Sequence, residues 1–375
     1  MKQRLKGLLA LVLSLMMVFA LATNAWATVW IGYDEVEADK YWKYDQNSGN
    51  MWTQGDADNY NVYLKNGTLT LNDFTVDIGG GSPAISSDQP LTINLIGSNS
   101  VTGSYAGGSG NVNAISIDDA LTIEGTGSLT ASGTKDGIKA DGDLTIKDAT
   151  VTATGGNNDD GIDAQGNITI TGATVNATGG NSDGNGIFAG SEITIEGGTV
   201  TAKGWWSGIN ATDITIKNAT VTAESDTYGI YSNNTITISG TNTEVTVGCT
   251  TGLQVDTVNI TGGSTVSITA DTTAINSNTL KTGGNWYQWS TDNTNFTDST
   301  TTALTKESAA DTATLYIKPA PGGGALTPYY PIYIPTVEDE PEVTAPDTFD
   351  GGIASAVVVT ILSATGGAWL AKKKD

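Results

Sequence analysis

From Leu69 onward, apolar and polar residues alternate in short runs that return along the chain at a common spacing. Leu144-Thr145-Ile146 is matched by Ile168-Thr169-Ile170, Ile193-Thr194-Ile195, Ile214-Thr215-Ile216 and Ile236-Thr237-Ile238. Thr150-Val151-Thr152-Ala153 returns as Thr174-Val175-Asn176-Ala177, Thr199-Val200-Thr201-Ala202 and Thr220-Val221-Thr222-Ala223. A third run, Asp136-Gly137-Ile138-Lys139-Ala140, is followed by equivalents beginning at Asp160, Asn185, Ser207, Tyr228 and Thr251. Its apolar column (Ile138, Ile162, Ile187, Ile209, Ile230, Leu253) is spaced by 24, 25, 22, 21 and 23 residues, and Ile85, Ile115 and Ile275 extend it. Period-two alternation gives each run one apolar and one polar face, so each repeat predicts three short half-buried strands.

A single three-strand turn cannot bury its inward side chains, but stacked turns can. Each strand then pairs in parallel with its equivalent in the next coil, and the apolar columns become one core. The expected fold is all-β: a single-stranded parallel β-helix, or solenoid, of about nine to ten three-strand coils with N- and C-terminal caps. With coils about 4.8 Å apart, it would extend roughly 40–45 Å. A β-propeller is disfavoured, since its blades need about 40–50 residues each. Glycine, at 47 residues, is expected at the corners, where sharp bends often need positive φ.

Residues 28–60 lack the repeat and are rich in aromatics, which predicts an N-terminal cap ahead of a solenoid over 61–281. Val62 to Val76 reads as the first coil. Residues 282–334, with Trp286, Tyr287 and Trp289, suggest a small β cap or module. Residues 335–350 are acidic and proline-rich, as in an extended linker.

Both ends carry addresses. Residues 1–27 combine Lys2, Arg4 and Lys6 with an apolar run and Ala25-Trp26-Ala27, the pattern of a cleaved secretory signal. Gly351 to Ala371 is an uncharged stretch followed by Lys372-Lys373-Lys374, long enough to span a membrane. It follows Ala345-Pro346-Asp347-Thr348-Phe349, which resembles a Gram-positive cell-wall sorting signal but has alanine for the leading leucine and phenylalanine for the final glycine. The expected location is extracellular, at the cell surface, tethered to wall or membrane by the tail.

Composition removes several chemistries. With no histidine there is no Ser-His-Asp triad and no histidine-ligated zinc site. The single cysteine, Cys249, cannot close an intramolecular disulfide and is expected to be a buried thiol. The net charge of −23 would become −26 without residues 1–27, which repels nucleic acid and favours divalent cations. A monomer is expected.

The acids gather beside the third run. In register, Asp136 falls near Asp160, and Lys139 near Asp163, about 4.8 Å apart. A cation between coils would remove the repulsion, and Ca²⁺ suits carboxylate and carbonyl oxygen. Asp136, Asp159, Asp160 and Asp163 are therefore the candidate metal ligands. Farther along, Phe188, Trp205, Trp206, Asn210, Tyr228 and Tyr231 replace acid with aromatic and amide, which suits the faces and hydroxyls of sugars. The threonine ladders are broken by Asn176, Lys203 and Glu224, which argues against a flat ice-binding face.

Asp-Gly-Ile-x-Ala, followed by Leu/Ile-Thr-Ile and Thr-Val-x-Ala, resembles the secreted carbohydrate-binding β-helix family of anaerobic Gram-positive bacteria, over roughly residues 60–280. The resemblance implies a right-handed parallel β-helix of the pectate-lyase kind. It also implies calcium held by aspartates between coils, here Asp136, Asp160 and Asp163, and binding of cellulose or polygalacturonate-type polymers. The leading expectation is thus calcium-assisted polysaccharide binding without catalysis. A polyuronate lyase is the alternative, with Lys139 as its only candidate base; no arginine follows Arg4 to clamp a uronate carboxylate. The third reading is a structural surface adhesin.

Overall fold

The computed structural model describes residues 28–44, 52–105, 110–282, 287–298, 304–319, 358–359 and 370–371. Two units are distinguished, residues 1–329 and 330–375. Residues 1–27 lie outside the described residues, as do 335–350 and most of the basic-ended tail. In the second unit only the antiparallel pairing of Val358–Val359 with Leu370–Ala371 is described. Among the described residues no helix is long and apolar enough to cross a membrane.

The first unit is a parallel β-solenoid of about nine turns. Three columns of strands run through it, and every coil pairs with the next in the register that the sequence repeat predicts. Ile138–Ala140 lies between Ile115–Ile117 and Ile162–Ala164. Leu144–Lys147 lies between Leu121–Gly125 and Ile168–Thr171. Thr150–Thr154 lies between Ser128–Gly133 and Thr174–Thr178. The inward positions form unbroken stacks, such as Ile115, Ile138, Ile162, Ile187, Ile209 and Ile230, all fully buried. β-Branched side chains dominate because two substituents on Cβ suit the pleat, and stacking like on like fills the interior evenly.

Two kinds of corner explain the glycines. Between the second and third strands the chain turns through left-handed backbone, at Gly125, Asp148, Gly172, Gly197, Asn218 and Gly240. The glycines before the isoleucine column behave differently, since none of Gly137, Gly161, Gly186 and Gly208 has positive φ. There the cause is space. A Cβ on Gly161 would sit 2.6 Å from the Thr178 amide nitrogen and 2.8 Å from the Gly186 carbonyl oxygen.

Antiparallel strands cover both edges of the stack. Val29–Ile31 pairs with Ile85–Ser87, and Thr314–Pro319 pairs with the Thr265–Thr282 strand. Open strand edges would otherwise template association. Val62–Lys65 is not part of a first coil: it folds back antiparallel on Thr68–Asn72, and that strand and Thr75–Ile78 continue into the parallel stack. Cys249 is partly buried, and burial pushes its thiol up to about 11, so it is inert at neutral pH.

The corner from third strand back to first varies most and builds the site. It is long after Thr150–Thr154 (155–161) and Thr174–Thr178 (179–184). It shrinks to the pair 205–206 after Thr199–Gly204.

Candidate functional site: an acid-to-aromatic strip across the coils

Two residues before the column isoleucines from Ile115 to Ile209 stand polar side chains: Asn113, Asp136, Asp160, Asn185 and Ser207. They form a hydrogen-bond ladder along the corner. Asn113 Oδ1 accepts from the Asp136 backbone N–H at 3.1 Å, Asp136 Oδ1 from that of Asp160 at 3.0 Å, and Asp160 Oδ1 from that of Asn185 at 2.6 Å. Asn185 Nδ2 donates to Asp160 Oδ1 at 2.9 Å, and Ser207 Oγ donates to Asn185 Oδ1 at 2.6 Å. The ladder satisfies corner amides that have no strand partner. Asparagine does this work at 113, so it does not require the carboxylates at 136 and 160.

Those two carboxylates occupy successive rungs, and a third approaches from the strand. Asp136 is only 3 % exposed, and its Oδ2 is buried without a hydrogen-bond partner. Asp163 is 9 % exposed, with its Oδ1 accepting from Gln165 Nε2 at 2.8 Å. Carboxylate oxygens of Asp136, Asp160 and Asp163 lie within 4.8 Å of one another. Burial, with help from the neighbouring carboxylates, pushes Asp136 up to about 6 and Asp160 up to about 7, against the pull of their backbone hydrogen bonds. Burial also raises Asp163, opposed by Lys139. An oxygen-only, desolvated, mutually repelling set with an orphaned acceptor fits a hard divalent cation such as Ca²⁺.

Asp159 does not join this set. It faces an adjacent groove, with its carboxyl raised by burial and lowered by Lys135. Lys139 pairs with Asp141. Burial works to lower its ammonium, but Asp141, then Asp163 and Asp136, outweigh that and raise it. It is held as a cation, in register beside Asp163.

The aromatic end continues the same strip. Register carries Asp163 to Phe188, Phe188 to Asn210 and Asn210 to Tyr231. Asn210 Nδ2 reaches Asn185 Oδ1 at 3.4 Å, tying this column to the ladder. Trp205 and Trp206 make the whole two-residue corner, both backbone N–H groups donating to the Gly184 carbonyl. The Trp206 ring meets Tyr228 at 5.2 Å and Tyr228 meets Tyr231 at 5.3 Å. Trp206 is 36 % exposed and Tyr228 and Tyr231 are half-buried, so the cluster reaches solvent.

Sequence reasoning missed the ladder partners Asn113, Asn185 and Ser207, although polar residues two places before the isoleucines from Ile115 to Ile209 were visible. It also missed Tyr105, Asn157 and Asn158, which share the groove with Asp159. Only the unequal lengths of the corner segments hinted at them.

Residues 84–222 match the model of a family described as carbohydrate-binding domain-containing protein. The matched stretch holds the acid cluster, Phe188, both tryptophans and Asn210, and ends before Tyr228. No curated protein and no solved structure matches the chain.

Proposed function

We propose that the strip binds a plant-type acidic polysaccharide, with cellulose as the neutral alternative, and that calcium assists. The observation that carries this reading is the Asp136, Asp160 and Asp163 cluster. A carboxylate oxygen is left buried and unpaired where asparagine would have satisfied the backbone. The match to a carbohydrate-binding family over the same coils supports it. Calcium held by these three aspartates would supply the positive charge that lets a polyuronate approach so acidic a surface. Asp160 and Asp136 meanwhile keep their Oδ1 atoms on the ladder, so the cluster is positioned by backbone rather than by flexible side chains. Trp206, Tyr228 and Tyr231 present ring faces to pyranose C–H groups, with Asn210 as an amide neighbour.

The arrangement favours binding over lyase chemistry. A general base must surrender its proton near working pH, whereas Lys139 is held protonated by Asp141. In this reading Lys139 balances charge beside Asp163. Residues 1–27 and 345–375 support a place outside the cell, tethered by the tail.

Retention of the purified chain on immobilised polygalacturonate and on cellulose, in calcium and then in EDTA, tests the proposal. Retention that chelation abolishes, with no ultraviolet-absorbing unsaturated product, is the expected result. Appearance of that product would make the protein a lyase, and failure to bind either polymer would leave a structural adhesin.

A further inference from the structure

Beside the acid cluster lies a groove of about 550 Å³, lined by Tyr105, Thr134, Asn157, Asn158 and Asp159 over a floor containing Gly133 and Gly156. That volume lies within the roughly 300–1,000 Å³ of ordinary ligand clefts. Its described walls come from Tyr105, Gly110 and Asn111 on one corner and from residues 156–159 on another.

The walls are fixed while their side chains are left over. Thr134 Oγ1 donates to the Gly110 carbonyl at 2.8 Å and accepts from the Val112 N–H at 3.1 Å, which pins one wall. The other wall is held from the next coil. Ser182 N–H donates to the Asn157 carbonyl at 2.8 Å, and Gly180 N–H donates to the Asp159 carbonyl at 2.9 Å. The side chains of Asn157, Asn158 and Asp159 make no hydrogen bond to another described residue. Tyr105 is 47 % exposed although its ring rests near Gly81 and Gly110, where any Cβ would collide with it. An exposed ring, two amides and a carboxylate facing Lys135, held on a rigid frame, make a binding surface already organised for its ligand.

We infer that this groove is a saccharide subsite for one neutral pyranose, stacked on Tyr105 with its hydroxyls directed to Asn157, Asn158 and Asp159. This rests on the polysaccharide reading above and extends it. Asp159 only accepts hydrogen bonds when ionised, so it rewards sugar hydroxyls and repels a sugar carboxylate. Asp160, the next residue, belongs to the acid cluster, so a uronate held there would place the neighbouring sugar at the groove. The preferred ligand is therefore a glycan in which a neutral sugar adjoins a uronate, rather than an all-acidic polymer.

Calorimetry in calcium would compare an oligosaccharide alternating galacturonate with a neutral sugar against an all-galacturonate oligomer of equal length. The wild-type chain is expected to prefer the alternating oligomer. Tyr105→Ala should weaken that binding about tenfold and remove the preference, with melting temperature and direct calcium titration unchanged. An Asn157→Ala/Asn158→Ala double variant should shift affinity in the same direction. Asp159→Asn should strengthen binding of the all-acidic oligomer. Wild-type binding of both oligomers without discrimination, or a silent Tyr105→Ala, would overturn the groove while leaving polysaccharide binding standing. Binding of neither oligomer would overturn both.

Discussion

Asp136→Asn should make the calcium-free protein more stable, because the carboxylate it removes is more than the ladder needs. In the folded chain Asp136 titrates at about 6 against an ordinary 3.8. The folded state thus holds this proton more tightly than the unfolded state, and ionisation costs stability. The penalty is absent below pH 3.8, grows through about pH 4 to 6, and is complete above it. Two pH units at 1.36 kcal/mol each give about 3 kcal/mol. The groups acting on Asp136 are Asp160, Asp163, Asp159, Lys135 and Lys139. Asparagine keeps the Oδ1 acceptor for the Asp160 N–H, as Asn113 does one rung earlier, and stays neutral at every pH. In EDTA at pH 8 the variant should therefore melt higher than wild type, by roughly 6 °C for a gain of about 3 kcal/mol. Wild type in EDTA should gain stability from pH 8 to 5, and the variant less. Calcium should raise the wild-type melting temperature at pH 8 far more than that of the variant. Thermal melts by circular dichroism read all of this. A variant that melts lower than wild type in EDTA at pH 8 would refute the reasoning, since it would make the carboxylate structurally necessary.

Three further outcomes follow from particular contacts. Gly161→Ala places a Cβ 2.6 Å from the Thr178 nitrogen, so it should destabilise by about 1–3 kcal/mol, visible as a lower denaturant midpoint. Trp206→Ala removes an exposed ring against Tyr228 and should weaken glycan binding about tenfold at unchanged melting temperature, checked by calorimetry. Lys139→Met should leave polysaccharide retention within a few-fold of wild type and reveal no lost lyase activity, measured by retention and ultraviolet absorbance; a lost activity would restore Lys139 as a base.

The solenoid was legible because its determinants are one-dimensional. Ile138 must stack on Ile162 once the repeat is in register, and the structure pairs them. The same arithmetic brought Asp136 to Asp160 and Lys139 to Asp163. Direction and corner geometry were not legible. Val62–Lys65 alternates like any coil strand, and nothing in alternation says that it turns back antiparallel. Asp159 and Asp160 are neighbours, and only the backbone path through 155–161 sends one to the groove and the other to the cluster. The glycines before the isoleucine column looked like positive-φ corners, but a neighbouring coil's backbone excludes their Cβ. Tyr105 and Asn157 lie in different coils, so their shared groove depends on how the long corners pack.

The central claim is that the carboxylates of Asp136, Asp160 and Asp163 make glycan binding depend on calcium. Titrating an oligogalacturonide into the wild-type chain and into Asp160→Asn, each with calcium and with EDTA, tests it most directly. The account predicts binding by wild type only with calcium, and loss of most of that affinity in a variant that stays folded and keeps its ladder acceptor. Equal binding in calcium and EDTA, or undiminished binding by Asp160→Asn, would contradict it.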